Sequence, residues 1–304
     1  MRCPRCEHEQ LFPGAECERC GVIFDRVRAP DVAEPRAPRP TAGPPEDPPR
    51  PGLEAAGLRA LVVGGVLAGL TQVWMPLQML IQYMVVLVHE MGHAAAGWLF
   101  GFPSIPAFDF MYGGGVTSHG QRSVLVASIV VLLLGFGVWS LRSHPRLAAA
   151  AAGGLMLHLL LMATGGDEVV ILAMGHGAEL GFAALFLVRA LTGSGCHLQA
   201  ERPLYAWLGL HVVLFDLRFA HGLATSAAER RRYGGAKGGG HWMDFSRLAG
   251  EIWGVPLETV AVGFALLCLV PLPAALLWAR RAPQGRYPED RPTDDPGALL
   301  LGDS

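Results

Sequence analysis

The sequence predicts an all-α fold, a polytopic bundle of about six or seven transmembrane helices behind a small N-terminal module, and three observations lead there. Only 16% of its 304 residues are charged and 51% are hydrophobic, with a mean hydropathy of +0.34; a soluble domain carries about a quarter charged residues. Apolar runs recur along the chain, each near the ~20 residues that cross a bilayer as a helix. Four of the six cysteines and a proline-rich stretch lie ahead of every such run. The net charge of −2 excludes no partner.

The N-terminal stretch MRCPRCEHEQLFPGAECERCGVIFDR holds Cys3, Cys6, Cys17 and Cys20 as two CxxC pairs ten residues apart. Each pair suits two thiolates on one tetrahedral Zn²⁺. The competing use of the pattern is two disulfides in a secreted domain. A segment this short cannot bury a core, so the metal would supply its folding energy. Residues 1–28 therefore read as a structural zinc ribbon, similar to the short ribbons that open many bacterial membrane proteins. Thiolates need a reducing compartment, which places the N-terminus in the cytosol. Arg2, Arg5 and Arg19 with Phe12 and Phe24 are too few for a nucleic-acid surface, so the ribbon's expected partner is a protein. Cys196 and Cys268 fit no motif and read as small apolar residues.

Residues 29–56 form the expected tether: nine prolines fall between 29 and 52 with no apolar period. No cleavable signal peptide is expected, because the first fifty residues are polar and proline-rich. The apolar runs then fall at about 59–76, 77–100, 123–141, 147–163, 168–190, 203–221 and 256–279. They define a membrane domain over 57–280, with a tail at 281–304 expected to be disordered. Arg19, Arg26, Arg28, Arg36, Arg39, Arg50 and Arg59 precede the first run and agree with a cytosolic N-terminus. The same count places the basic loop 222–255, with Arg230, Arg231, Arg232, Lys237 and Arg247, on the cytosolic side of a multi-pass inner-membrane protein. Arg280, Arg281, Arg286 and Arg291 break the pattern, since seven crossings would carry them outside. Phe245, Leu248, Ile252 and Trp253 give the basic loop a short amphipathic stretch suited to anionic headgroups, and a gate over the membrane domain is the sharper alternative.

The second run contains MVVLVHEMGHAAAGWLF, with His89, Glu90 and His93 in an apolar helix. Residues four apart share a helix face, so His89 and His93 present both imidazoles to one metal while Glu90 reaches a water beside it. That is the arrangement of a zinc hydrolase, in which zinc acidifies the water, Glu90 takes its proton and the metal polarises the carbonyl under attack. Inside an apolar span, unpaired ionisable groups cost several kcal/mol, so their presence implies partners. A hydrogen-bonded polar cluster tying helices together is the plainer use of the same residues. Gly92, Ala94, Ala95, Ala96 and Gly97 let another helix approach closely.

The longer stretch HEMGHAAAGWLFGFPSIPAFDFMYGGGVTSHG resembles the site-2-protease family of intramembrane zinc metalloproteases. In that family the HExxH helix is followed by a short re-entrant segment ending in a Gly-Gly turn, here Gly113, Gly114 and Gly115. The resemblance covers about 35 residues and implies His89 and His93 as zinc ligands, Glu90 as general base and a membrane-embedded protein as substrate. Within it, Pro103 and Pro106 break helix and 107–112 reads as a strand edge able to pair with an unwound substrate, or else as an ordinary connecting loop.

The third zinc ligand stays open. The family places an aspartate in a Leu-Asp-Gly context, which this chain lacks, and Asp167 in ATGGDEVV is the nearest match. At ~1.5 Å of rise per residue, His176 and Glu179 lie at about the depth of His89 and His93 instead, and their i, i+3 spacing puts them on one face. Whichever of Asp167, His176 and Glu179 do not bind zinc would orient a ligand imidazole. His158, His211 and Asp216 read as packing contacts. Two rival readings remain, a divalent-metal transporter lined by intramembrane His and Glu and a catalytically inactive scaffold, against which the intact Glu90 argues.

Overall fold

The computed structural model describes residues 2–3, 5–10, 15–24, 53–108, 114–235 and 243–282. Most of the expected tether, residues 109–113 with Gly113, Lys237 and nearly all of the tail fall outside them. The chain divides into two compact units, residues 1–48 and 49–304.

The first unit is two copies of one short turn. Cys3 N–H donates to His8 O and Glu7 N–H to Cys3 O; Cys17 N–H donates to Val22 O and Gly21 N–H to Cys17 O. Isolated bridges pair Arg2 with Glu9 and Glu16 with Ile23. The residue after each second cysteine takes a left-handed backbone, Glu7 at φ 56° and Gly21 at φ 68°. That bend folds each CxxC back so that both of its thiols face one way. The Gln10 side chain bridges the copies, accepting from Glu18 N–H at 3.3 Å.

The second unit is mostly helical. Its elements are α1 (Ala55–Val73), α2 (Met75–Leu99), β1 (Ser104–Phe108), β2 (Gly115–His119), α3 (Val124–Ser140), α4 (Pro145–Thr164), α5 (Gly166–Thr192), α6 (Glu201–Thr225), α7 (Ala227–Gly235), α8 (Asp244–Ser246) running into a π-helix (Arg247–Trp253), α9 (Leu257–Cys268) and α10 (Pro271–Ala279). All seven apolar runs are helical. Among the described residues, four helical segments are long and apolar enough to cross a membrane: Ala55–Val73, Pro145–Thr164, Gly166–Thr192 and Leu257–Ala279. Helix α3 is shorter, and the polar residues of α2 and α6 hold those long helices below the same apolarity. Large exposed side chains such as Val62, Val66, Leu132, Phe136 and Leu160 cover the outside, as a bilayer-facing surface requires.

Small residues bring the helices together. Gly57, Ala60, Gly64 and Ala68 form the buried stripe of α1, and a Cβ at Gly64 would overlap Ala206 of α6. A Cβ at Gly92 would overlap the Met174 carbonyl of α5, so α2 and α5 meet at backbone distance. One core cluster joins α5, α6 and α9 to the amphipathic stretch of the basic loop, with Phe245, Leu248 and Ala249 all buried.

Two expectations are corrected. The fold is not purely helical, because β1 and β2 form an antiparallel hairpin with Ser104 opposite His119 and Phe108 opposite Gly115. Pro103 and Pro106 exclude helix there, and the first strand starts earlier than 107. The amphipathic stretch does not rest on an interface alone: Phe245 and Leu248 are buried in protein, while Trp253 is half exposed.

Candidate metal centre

Four thiols converge in the first unit. Cys3 Sγ lies 3.7 Å from Cys20 Sγ and Cys6 Sγ lies 3.7 Å from Cys17 Sγ, and all four sulfurs fall within 4.8 Å of one another. A disulfide holds its sulfurs at about 2.05 Å, which these pairs exceed by far. Four sulfurs at ~2.3 Å from a tetrahedral zinc lie roughly 3.8 Å apart, so the cluster has the size of that ion. Burial acts to raise Cys3, but the Cys6 and Arg5 amides outweigh it and bring the thiol down to about 6. The Val22 amide favours the Cys20 thiolate, yet burial and the sulfurs of Cys6, Cys17 and Cys3 push it up to about 12. Four adjacent thiolates need a cation among them.

The second cluster is built from two segments distant in sequence. Helix α2 supplies His89 and His93, one turn apart. The start of α8 supplies Asp244, 155 and 151 residues further on. His93 Nε2 is 3.0 Å from His89 Nε2, and each is 3.1 Å from Asp244 Oδ2. The other ring nitrogens fix the tautomers. His93 Nδ1 lies 2.7 Å from the Ile171 carbonyl and His89 Nδ1 lies 3.2 Å from Glu179 Oε1. A carbonyl and a carboxylate only accept, so both Nδ1 atoms carry the hydrogen and donate. Both Nε2 atoms of the neutral rings then point lone pairs at an anionic oxygen.

Three acceptors facing one another at about 3 Å repel unless a cation lies between them. Nitrogen and oxygen ligands at ~2.1 Å from a tetrahedral zinc are separated by roughly 3.4 Å, a few tenths of an ångström from the triangle seen. The donor set therefore fits zinc. When a proton stands in that place, burial opposes the Asp244 charge but hydrogen bonds from His89 and His93 outweigh it, holding the carboxyl well below the usual carboxylate range.

Outer contacts orient the ligands. Glu179 accepts from His89 through one oxygen and lies 2.6 Å from His176 Nδ1 through the other. The His176 ring is packed by Phe219, Phe245 and Phe264. Gly175 leaves the space that the imidazoles occupy, since a Cβ there would overlap His93 Nε2. Glu90 points beside the triangle, where Thr117 Oγ1 of β2 donates to its Oε2 at 2.6 Å. Gly115 on the same strand makes room for it, because a Cβ would overlap the Glu90 carboxylate. The groups open on a cavity of about 1280 Å³ lined by His89, Glu90, His93, Asp244, residues 114–119 and the polar group Arg122, Asp167, Glu168 and Arg247. Strand β2, and not β1, faces that cavity.

His89, Glu90, His93, His176 and Glu179 are thus brought together as expected. His176 and Glu179 also form a donor cluster with His89, but Glu179 uses both oxygens to hold imidazoles, the outer role the sequence left to unused candidates. Asp167 lies apart from them. It is buried and ion-paired with Arg122 and belongs to no donor cluster among the described residues, because it sits at the start of α5, two turns before Gly175. The carboxylate that meets the imidazoles is Asp244, which the sequence reading passed over. The signal available was Met243-Asp244-Phe245, an acid between two large apolar residues at the end of a glycine-rich polar tract. His158 stacks on Phe100, His211 bonds Gln72, and Asp216 is fully buried with no hydrogen-bond partner for either oxygen.

Comparison of the chain with protein-family models, with curated proteins and with solved structures returns no match to any of them.

Proposed function

We propose that the second unit is a zinc-dependent hydrolase whose site lies among apolar helices, with His89, His93 and Asp244 as ligands and Glu90 as general base. More narrowly, it is an intramembrane metalloprotease that hydrolyses peptide bonds of membrane-embedded proteins. The single observation that carries this reading is the convergence of two imidazole lone pairs and a carboxylate oxygen beside a second, separately held carboxylate in an open cavity.

A zinc ion bound there would supply Lewis acidity, polarising a carbonyl and lowering the pKa of a water toward ~7. Glu90 accepts the proton of the attacking water and returns it to the departing amine nitrogen, the step that lets the amide C–N bond break. Thr117 holds Glu90 in place for both transfers. Glu179 and the Ile171 carbonyl keep both histidines in the tautomer whose Nε2 faces the ion. Strand β2 offers an extended backbone beside the site, suited to a substrate helix that has been opened, since only unwound amides expose the carbonyl to attack. The reducing side of an inner membrane suits the four thiols of the first unit, read as a structural zinc ribbon that recruits a protein partner.

The test is cleavage in proteoliposomes of a panel of single-span substrate proteins. Glu90→Gln is expected to lose activity by about 10²–10⁴-fold while retaining its zinc. A Glu90→Gln chain that cleaves at the wild-type rate would falsify the reading.

One observation favours the transporter as a second reading. Buried polar atoms of Gln72, Gln82, His211 and Asp216, on α1, α2 and α6, lack hydrogen-bond partners, as a water-filled ion route would leave them. Zn²⁺ uptake by sealed liposomes containing the Glu90→Gln chain would mark transport, and its absence would end this alternative.

A further inference from the structure

The third donor of the helical site stands on a different footing from the first two. His89 and His93 are fixed to each other by one turn of α2 and to α5 by the Ile171 and Glu179 bonds. Asp244 opens a three-residue helix that no long element holds in register with α2. Its position is set by its neighbours. Phe245 N–H donates to the Tyr233 hydroxyl at 3.2 Å, and the Phe245 ring packs on His176 at 4.6 Å and Phe264 at 5.1 Å. One turn beyond Asp244, Arg247 Nη2 lies 2.5 Å from Glu168 Oε1 on the first turn of α5, and its Nε lies 3.2 Å from Glu251 within the π-helix.

The Glu168 bond differs in kind from the Glu251 bond. Glu251 belongs to the same short helix as Arg247 and so fixes nothing against the rest of the molecule. Glu168 belongs to the helix that also carries Ile171, Gly175 and Glu179, the residues that orient and seat both imidazoles. The Arg247–Glu168 pair therefore ties the segment bearing Asp244 to the element that aligns the histidines. It acts on the open side of the site, where both residues line the cavity.

Resting on the metalloprotease reading of this site, we propose that Arg247 is a positioning residue for the metal. Paired with Glu168, it holds Asp244 within bonding reach of an ion on His89 and His93. A partly exposed ion pair contributes little to folding, with Arg247 30% and Glu168 54% exposed. Its loss frees one ligand without unfolding the bundle. The visible consequence is on metal affinity and not on the stability of the metal-free chain.

The experiment uses the full chain in nanodiscs, with the four ribbon cysteines changed to serine so that only the helical site is read. Zn²⁺ affinity is measured by competition with a fluorescent chelator, and Co²⁺ substitution reports coordination geometry through the intensity of its visible bands. Arg247→Met and Glu168→Gln are each expected to weaken Zn²⁺ binding about tenfold, in the range seen for outer contacts of metal ligands, and to lower the Co²⁺ band intensity. Glu251→Gln is expected to bind as wild type does. The exchange Arg247→Glu with Glu168→Arg is expected to recover most of the affinity, which a merely structural role for either side chain would not allow. Wild-type affinity in Arg247→Met, or an exchange variant as weak as the single ones, overturns the inference and leaves the metalloprotease reading intact. A parent chain that binds no Zn²⁺ outside the ribbon overturns both.

Discussion

The two donor clusters of this chain differ in what they leave open. In the first unit four sulfurs lie within 4.8 Å of one another, enough donors for a complete tetrahedron. In the second unit three donors form a triangle whose fourth side faces a cavity, with Glu90 beside it. A closed shell of ligands holds a fold together, and an open one leaves a position for chemistry. The number of donors, more than their identity, separates the two. They differ also in how they are assembled: the ribbon gathers ligands from two local turns, whereas the helical site draws them from α2 and from a segment some 150 residues away.

That contrast breaks most sharply at Asp244. Asp244→Ala is expected to cost the helical site at least about a hundredfold in zinc affinity, leaving one ion per chain by mass spectrometry, while Asp167→Ala keeps two. The opposite result would return the third ligand to the start of α5. Replacing Cys3, Cys6, Cys17 and Cys20 by serine is expected to remove only the other ion, since each cluster is complete within its own unit.

A smaller and graded effect tests the first unit by pH. Cys20 is pushed up to about 12, so its proton must leave whenever the ribbon binds zinc at neutral pH. A group protonated in the free state and ionised in the bound state makes affinity rise with pH, by about tenfold per unit for each proton released. Chelator competition between pH 6 and 8 should show that slope in the ribbon. A ribbon affinity that is flat in pH would contradict the thiolate assignment.

The smallest expected change sharpens the role of the open side. Thr117→Val removes the 2.6 Å hydrogen bond to Glu90 and should slow peptide cleavage by about two- to tenfold, the worth of one ordinary hydrogen bond, with zinc content unchanged. A loss of zinc in that variant would mean Thr117 supports the ligands and not the base.

The difference in assembly also explains what could be read in advance. The helices were legible because each apolar run is continuous, and His89, Glu90 and His93 because one turn of helix carries all three. The cysteine pairs announce themselves by local spacing. The outer roles of His176 and Glu179 were within reach because both lie on one face of α5. Asp244 was not, since nothing near it in sequence points to α2, and its tract of glycine and charge looks like a plain polar loop. Family likeness pointed to Asp167 instead, whereas the packing of Phe245 against α5, α6 and α9 sets Asp244 beside the imidazoles. The hairpin was half legible: the prolines excluded helix, but the register that sets Phe108 opposite Gly115 has no local signal in the sequence.

Gly175 has one more consequence, for motion. Because the bare backbone of α5 forms a wall of the imidazole pocket, any turn of that helix about its axis would bring the side chain of a neighbour such as Met174 into the two rings. Helix α5 is in effect keyed into place and cannot serve as a moving part. Freedom lies on the opposite flank, where α3 buries only Ala127 and α4 only His158. A door into the cavity would hang on that side.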